Sequence, residues 1–193
     1  MPRVFLARET RFGGYLEDYE PGDVYHHWPG KTVTEAEVHL FCMLTFAVNP
    51  LHIDANFATR ETEQGRNIAV GTYIYSLLLG MSVPDISGRA IANLGAESLR
   101  HLAPVHFGDT IYGSTEVVGT RVSASRPRAG ILTVDTTGAN QEGKVVCTFR
   151  RSVLLPRRPA TEGGAMVTAA RSPVEGSAGP RLRSGADDGD GRS

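Results

Sequence analysis

The segment Asn49-Pro50-Leu51-His52-Ile53-Asp54 puts a histidine two residues after a proline. Proline fixes φ, so the backbone is stiff there and the imidazole is held in one place. Imidazole is the side chain whose ordinary pKa suits giving and taking protons near neutrality. Further on, Gly71 stands just before the apolar run Tyr73 to Val83. A helix starting there presents unpaired N–H groups and partial positive charge, which suit an oxyanion developing on a carbonyl. Alone, His52 reads as an ordinary structural histidine. Converging with an N–H donor at Gly71 on one acyl group, it makes a proton-transfer site.

Other residues have two readings each. Asp54 is a turn or cap ligand, and in an extended segment it would stand ~7 Å from His52, so it receives no catalytic role. Glu63 is the other nearby carboxylate. Arg126 and Arg128 flank Pro127 and read either as phosphate ligands or as solvated loop charges. Phe46, Tyr73 and Tyr75 could line a pocket or pack the core. His26, His27 and His39 lack the spacing of a zinc site, so no metal is expected. The sequence carries no Gly-rich nucleotide fingerprint, Walker loop or nucleophile elbow.

The elements that must position these residues follow from patterning. Thr34-Glu35-Ala36-Glu37 is a capping box that starts a helix running to about Phe46, with Val38, Phe41 and Leu44 at helical spacing. Pro50 ends helical structure after it. A second helix spans about Tyr73 to Met81, apolar nearly all round and therefore expected to be buried on most sides. From residue 90 the signal turns to strands: Ile91–Leu102, Asp109–Val122, Gly130–Thr136 and Lys144–Leu155, with Arg151 interrupting the apolar face of the last. The loop Ala139–Gly143 makes the last two an antiparallel pair. A weaker strand is expected near Tyr25–Val33. A buried helix followed by long antiparallel strands predicts an α+β layer, whose open face and edge dimerisation would cover.

The chain has 193 residues, is 40% hydrophobic and carries a formal net charge of −1. That suits one domain with a real core and gives no electrostatic reason to expect nucleic acid or membrane binding. The first residues read as no signal peptide, with Arg8, Glu9 and Arg11 following at once, and no apolar run approaches the ~20 residues of a membrane span. Cys42 and Cys147 are expected as buried thiols in a reducing cytosol. Residues 1–12 are an expected N-terminal extension and 13–156 the folded domain. Residues 157–193, rich in Gly, Ala, Ser, Pro, Arg and Asp, are an expected disordered tail.

Thr45-Phe-Ala-Val-Asn-Pro-Leu-His-Ile-Asp-Ala-Asn-Phe57 resembles the hydratase motif of the MaoC-like (R)-specific enoyl-CoA hydratases. So do the lead-in Gly14–Asp23, Ala69-Val-Gly71 before the central helix, and Ala103–Thr110. The resemblance implies the hotdog fold, an antiparallel sheet wrapped around a central helix, and a homodimer. It implies that His52 is the catalytic histidine and that the Gly71 N–H polarises the thioester carbonyl. The family's aspartate, five residues before the histidine, is here Ala47. Ser125–Gly130 looks closest to the mesaconyl-CoA and itaconyl-CoA hydratase-like branch, in which the substrate's own carboxylate, or Asn49, is expected to help position water. The implied substrate is a small acyl-CoA thioester, with no further cofactor. Two alternatives stay open: a thioesterase, for which Glu63 is the nearby carboxylate, and a non-catalytic acyl-CoA-binding protein.

Overall fold

The computed structural model describes residues 3–6 and 12–159. Four long strands dominate it: β4 (Ala92–His101), β5 (Thr110–Val122), β6 (Ala129–Ala139) and β7 (Val145–Pro156). With β1 (Val4–Leu6) and β2 (Val24–His26) they form a sheet of order β1-β2-β5-β6-β7-β4, and β3 (Lys31–Thr32) pairs with β5. Every pairing is antiparallel except β1 on β2. The expected β6–β7 hairpin forms, with Gly143 at φ 80° where its turn requires it. β6 and β7 alternate buried and half-buried residues, as strands with one covered face do.

Helix α1 (Glu35–Thr45) starts at the predicted capping box: the Glu37 N–H donates to the Thr34 hydroxyl, and the Glu37 carboxylate accepts from the Thr34 N–H. It ends before Pro50, at Phe46, which adopts φ 59°. Pro50 is instead the first residue of α2 (Pro50–Ile53), where its missing N–H costs nothing. The chain continues into α3 (Ala55–Glu61), whose N-cap is Asp54 accepting from the Phe57 N–H. The cap reading of Asp54 therefore holds, while the extended segment around it is corrected to two short helices.

Helix α4 (Gly71–Met81) crosses the sheet where glycine removes side chains from both partners of one register pair, Gly113 and Gly138. A Cβ at Gly138 would stand 2.5 Å from Leu78, so the close approach needs the glycine. Ile74 and Leu78 are fully buried there, whereas Tyr73, Tyr75, Leu77 and Leu79 are only half-buried. Burial on most sides is thus corrected to one stripe on the sheet with flanks left partly open. Past the helix, Arg151 is 1% exposed and donates to Ser82 and Asn93. The residue that breaks the β7 pattern is a buried cation just beyond the C-terminus of α4, where the helix dipole favours it.

Two further differences concern the ends. Val4–Leu6 pairs with Val24–His26 and Phe5 is buried against Tyr25, so the domain reaches back past residue 12. This strand is too short for periodicity to reveal. The tail beyond Pro159 lies outside the described residues, while Arg157 and Arg158 pair with Glu17 and Asp18. Among the described residues no helix is long and apolar enough to cross a membrane.

Candidate functional site

His52 sits on the single turn of α2. Asn49 caps that turn by accepting the Leu51 N–H at 3.0 Å, and the Asn67 side chain donates to the Leu51 carbonyl at 2.8 Å. The His52 Nδ1–H donates to the carbonyl of Ile68 at 2.9 Å. A carbonyl can only accept, so this bond fixes the tautomer: Nδ1 carries the proton and Nε2 is left basic. Nε2 has no protein partner among the described residues.

Ile68 is also the anchor for the other half of the site. The segment 67–69 is held from both sides, by α2 and by an Ala69 N–H bond to the Val105 carbonyl of 2.8 Å. It then enters α4 directly. The N-cap of α4 is Val70, whose side chain cannot accept a hydrogen bond; the Tyr73 N–H turns back to the Val70 carbonyl at 3.0 Å, while the N–H groups of Gly71 and Thr72 have no bond among the described residues. One cavity of about 400 Å³ has His52 and Gly71 on its walls, with Ile74, His101 and Val146. The sequence-predicted pair is therefore brought together, a basic imidazole nitrogen and an uncapped helix N-terminus facing one space.

The remaining candidates separate. Asn49 is exposed, spends its carbonyl oxygen on the α2 cap and does not line the cavity. Arg126 and Arg128 are exposed in the β5–β6 loop. The cavity lies at the other end of β6, since Val146 neighbours the β7 residues paired with Gly138 and Ala139. The length of an eleven-residue strand, roughly 35 Å at ~3.4 Å per residue, separates the arginines from His52 within one chain. The structure does not bring Asn49, Arg126 or Arg128 to the cavity. Phe46 is 83% exposed, and Tyr73 and Tyr75 pack edge-on against Phe41 and Phe149, which is core packing.

Ala47 is half-buried against the core and offers no polar atom beyond its backbone. Glu63 is exposed, and no described Asp or Glu lines the cavity. Cys147 is fully buried, and burial pushes its thiol up to about 11, so it is no thiolate nucleophile at neutral pH. No group of His, Cys, Asp and Glu that could hold a metal exists among the described residues.

Two polar lining residues were missed in the sequence, Gln64 and His101. His101 ends β4, and its ring lies against Gly71, so that a Cβ on residue 71 would stand 2.8 Å from His101 Nε2. Nothing in its local pattern marks it, because a histidine at a strand end looks like any surface residue. Only the three-dimensional meeting of β4 with the start of α4 singles it out.

The family model described as mesaconyl-CoA hydratase matches residues 4–192. The chain is 33% identical over 150 residues to the mesaconyl-CoA hydratase of Cereibacter sphaeroides, covering 78% of this chain and 43% of that protein. It thus spans less than half the length of the mesaconyl-CoA hydratases it matches. It is 31% identical over 147 residues to the (R)-specific enoyl-CoA hydratase of Rhodospirillum rubrum, covering 75% of this chain and 93% of that one. Among solved structures, a Mycobacterium tuberculosis protein described as having a double hotdog fold superimposes with a TM-score of 0.65 at 27% identity, covering 79% of this chain and 47% of that one. The fold is the hotdog fold. With a model match over nearly its whole length, the chain belongs to the MaoC-like mesaconyl-CoA hydratase family.

Proposed function

We propose that the chain is a hydro-lyase that adds water across the double bond of an enoyl-CoA thioester, or removes it in reverse, with a branched dicarboxylic acyl group such as mesaconyl as substrate. The observation that carries this is the fixed His52 tautomer. With Nδ1 committed to the Ile68 carbonyl, Nε2 is the base, and it faces a cavity whose other wall is the uncapped start of α4. Nε2 takes a proton from water as the oxygen bonds to the β-carbon. The electron pair of the double bond moves onto the thioester as an enolate, whose oxygen is held by the Gly71 N–H. The imidazolium then returns the proton to the α-carbon on the same face. One histidine serves both steps, so water adds syn, and the reaction needs no cofactor beyond the CoA thioester itself.

A thioesterase reading is weaker, because no described carboxylate lines the cavity and Glu63 is outside it. The homodimer and a cytoplasmic setting belong to the same proposal. Leu40, Met43, Leu44 and Phe46 form an exposed apolar surface on and after α1, at 59% to 83% exposure. The edge strand β4 adds exposed Leu94 and Leu99, and a second copy would cover both. The cytoplasmic setting is supported by two free, buried cysteines.

The test offers crotonyl-, mesaconyl- and itaconyl-CoA to the full chain and follows enoyl absorbance and free thiol together. Loss of absorbance without thiol is expected. Thiol release would replace the hydratase by a thioesterase, and binding without either change would leave a carrier protein.

A further inference from the structure

We propose that His101 is the group that receives the free carboxylate of a dicarboxylic enoyl-CoA, and so sets which acyl group the cavity accepts. This rests on the hydratase reading and names a residue that reading does not use.

His101 and His52 are the only titratable side chains on the cavity wall among the described residues. His52 is committed by its bond to Ile68, whereas neither nitrogen of His101 has a hydrogen bond to a described residue. The His101 ring edge rests on Gly71, with Nε2 the nearest atom to where a side chain would begin. Ile68, Ile74, Val105 and Val146 offer an anion nothing, and of the other polar wall residues Gln64 brings an uncharged amide donor but, unlike His101, is not placed against Gly71.

A carboxylate cannot enter such a space as an ion without a donor or a positive charge to replace water. No Lys or Arg among the described residues lines the cavity. Beside the start of α4, where the thioester is placed, the donor at hand is the His101 imidazole. In an enoyl thioester carrying a carboxylate on its β-carbon, one double bond separates the carboxylate from the thioester carbonyl. Both groups must then lie near the same end of the cavity. If the Gly71 N–H holds the thioester oxygen, the adjacent His101 Nε2 is placed for the carboxylate.

The test compares the full-length protein with His101→Phe, which keeps a ring over Gly71 but no hydrogen bond, and His101→Gln, which keeps a donor. The His101 side chain is exposed and hydrogen-bonds to no described residue, so both variants are expected to fold, with thermal midpoints confirming it. Initial rates are measured with mesaconyl-CoA and crotonyl-CoA, whose acyl group has no carboxylate. Where crotonyl-CoA is not turned over, its inhibition constant against mesaconyl-CoA replaces its rate. In His101→Phe, KM for mesaconyl-CoA is expected to rise at least tenfold, while the crotonyl constants change less than threefold; His101→Gln lies between. Equal losses on both substrates would overturn the proposal in favour of a role at the thioester oxygen or in proton transfer. No change on either would remove His101 from the site. A wild-type protein that hydrates neither substrate would instead bring down the hydratase reading itself, and this inference with it.

Discussion

The molecule holds two histidines in opposite conditions. His27 is locked in the core: its side chain is fully covered, Nδ1 meets the Asp85 carboxylate at 2.8 Å and Nε2 meets the Thr115 hydroxyl at 2.8 Å, which in turn reaches Thr136. His52 is half-buried, with one nitrogen committed to a backbone carbonyl and the other open to a cavity. Composition treats them alike. The difference is that His27 has spent both nitrogens on the fold, whereas His52 has spent one on its own orientation and leaves the other open to the cavity. A ring that moves protons needs both parts of that second condition, a fixed tautomer and a free nitrogen.

Substitution breaks the comparison in opposite directions. His52→Ala is expected to lower kcat by roughly a thousandfold, the usual weight of a general acid–base group, with the thermal midpoint nearly unmoved. Hydration at the wild-type rate would end the mechanism. His27→Ala is expected to cost about 3 kcal/mol of stability, because it empties a buried ring site and takes a partner from Asp85. Its activity per folded molecule should stay near wild type, as read from urea unfolding alongside rates. A stable, inactive His27→Ala protein would place the second imidazole in the chemistry after all.

Gly71→Ala sharpens the same contrast at the other wall. The added methyl would meet His101 Nε2 at 2.8 Å, but that ring is exposed and can shift. Alanine is also the better helix residue, by up to ~1 kcal/mol. Stability is therefore expected to hold or rise while kcat/KM falls about a hundredfold, since in the proposed mechanism the methyl stands where the thioester oxygen approaches the helix. Unchanged kcat/KM would move the thioester away from α4.

How far the sequence discloses this arrangement depends on the range over which each signal acts. The capping box of α1, the apolar α4 and the four long strands are local patterns, and each forms within a few residues of its predicted span. His52 and Gly71 were legible because stiff backbone and a helix start are local features too. The short helices after Asn49 were not, since Pro50 signals both a helix stop and a helix start and only Asn49 as a cap decides between them. β1 is three residues long and gains its place by pairing, which no periodicity records. His101 and the His27–Asp85 bond join residues distant in sequence, so they exist only once the sheet has folded around α4.

Arg126 and Arg128 carry the smallest expected effect, and the argument for it is geometric. Arginine beside a CoA site is a sound expectation from charge alone, but the β5–β6 loop and the cavity occupy opposite ends of β6. That loop is tied to the start of the tail instead: Arg157 donates its N–H to the Arg128 carbonyl and its guanidinium to the Pro127 carbonyl. Both arginines are exposed, where charges act on a distant ligand only through salt-screened fields with a range of about 10 Å at 0.1 M ionic strength. The double substitution Arg126→Ala with Arg128→Ala is therefore expected to change KM for an acyl-CoA less than twofold at that ionic strength. A tenfold rise in KM that fades at high salt would mean that the CoA phosphates do reach this loop. Because the loop of the same chain is too far from His52, that result would place it at the cavity of a second copy, and the dimer would then complete the binding site as well as cover the apolar face.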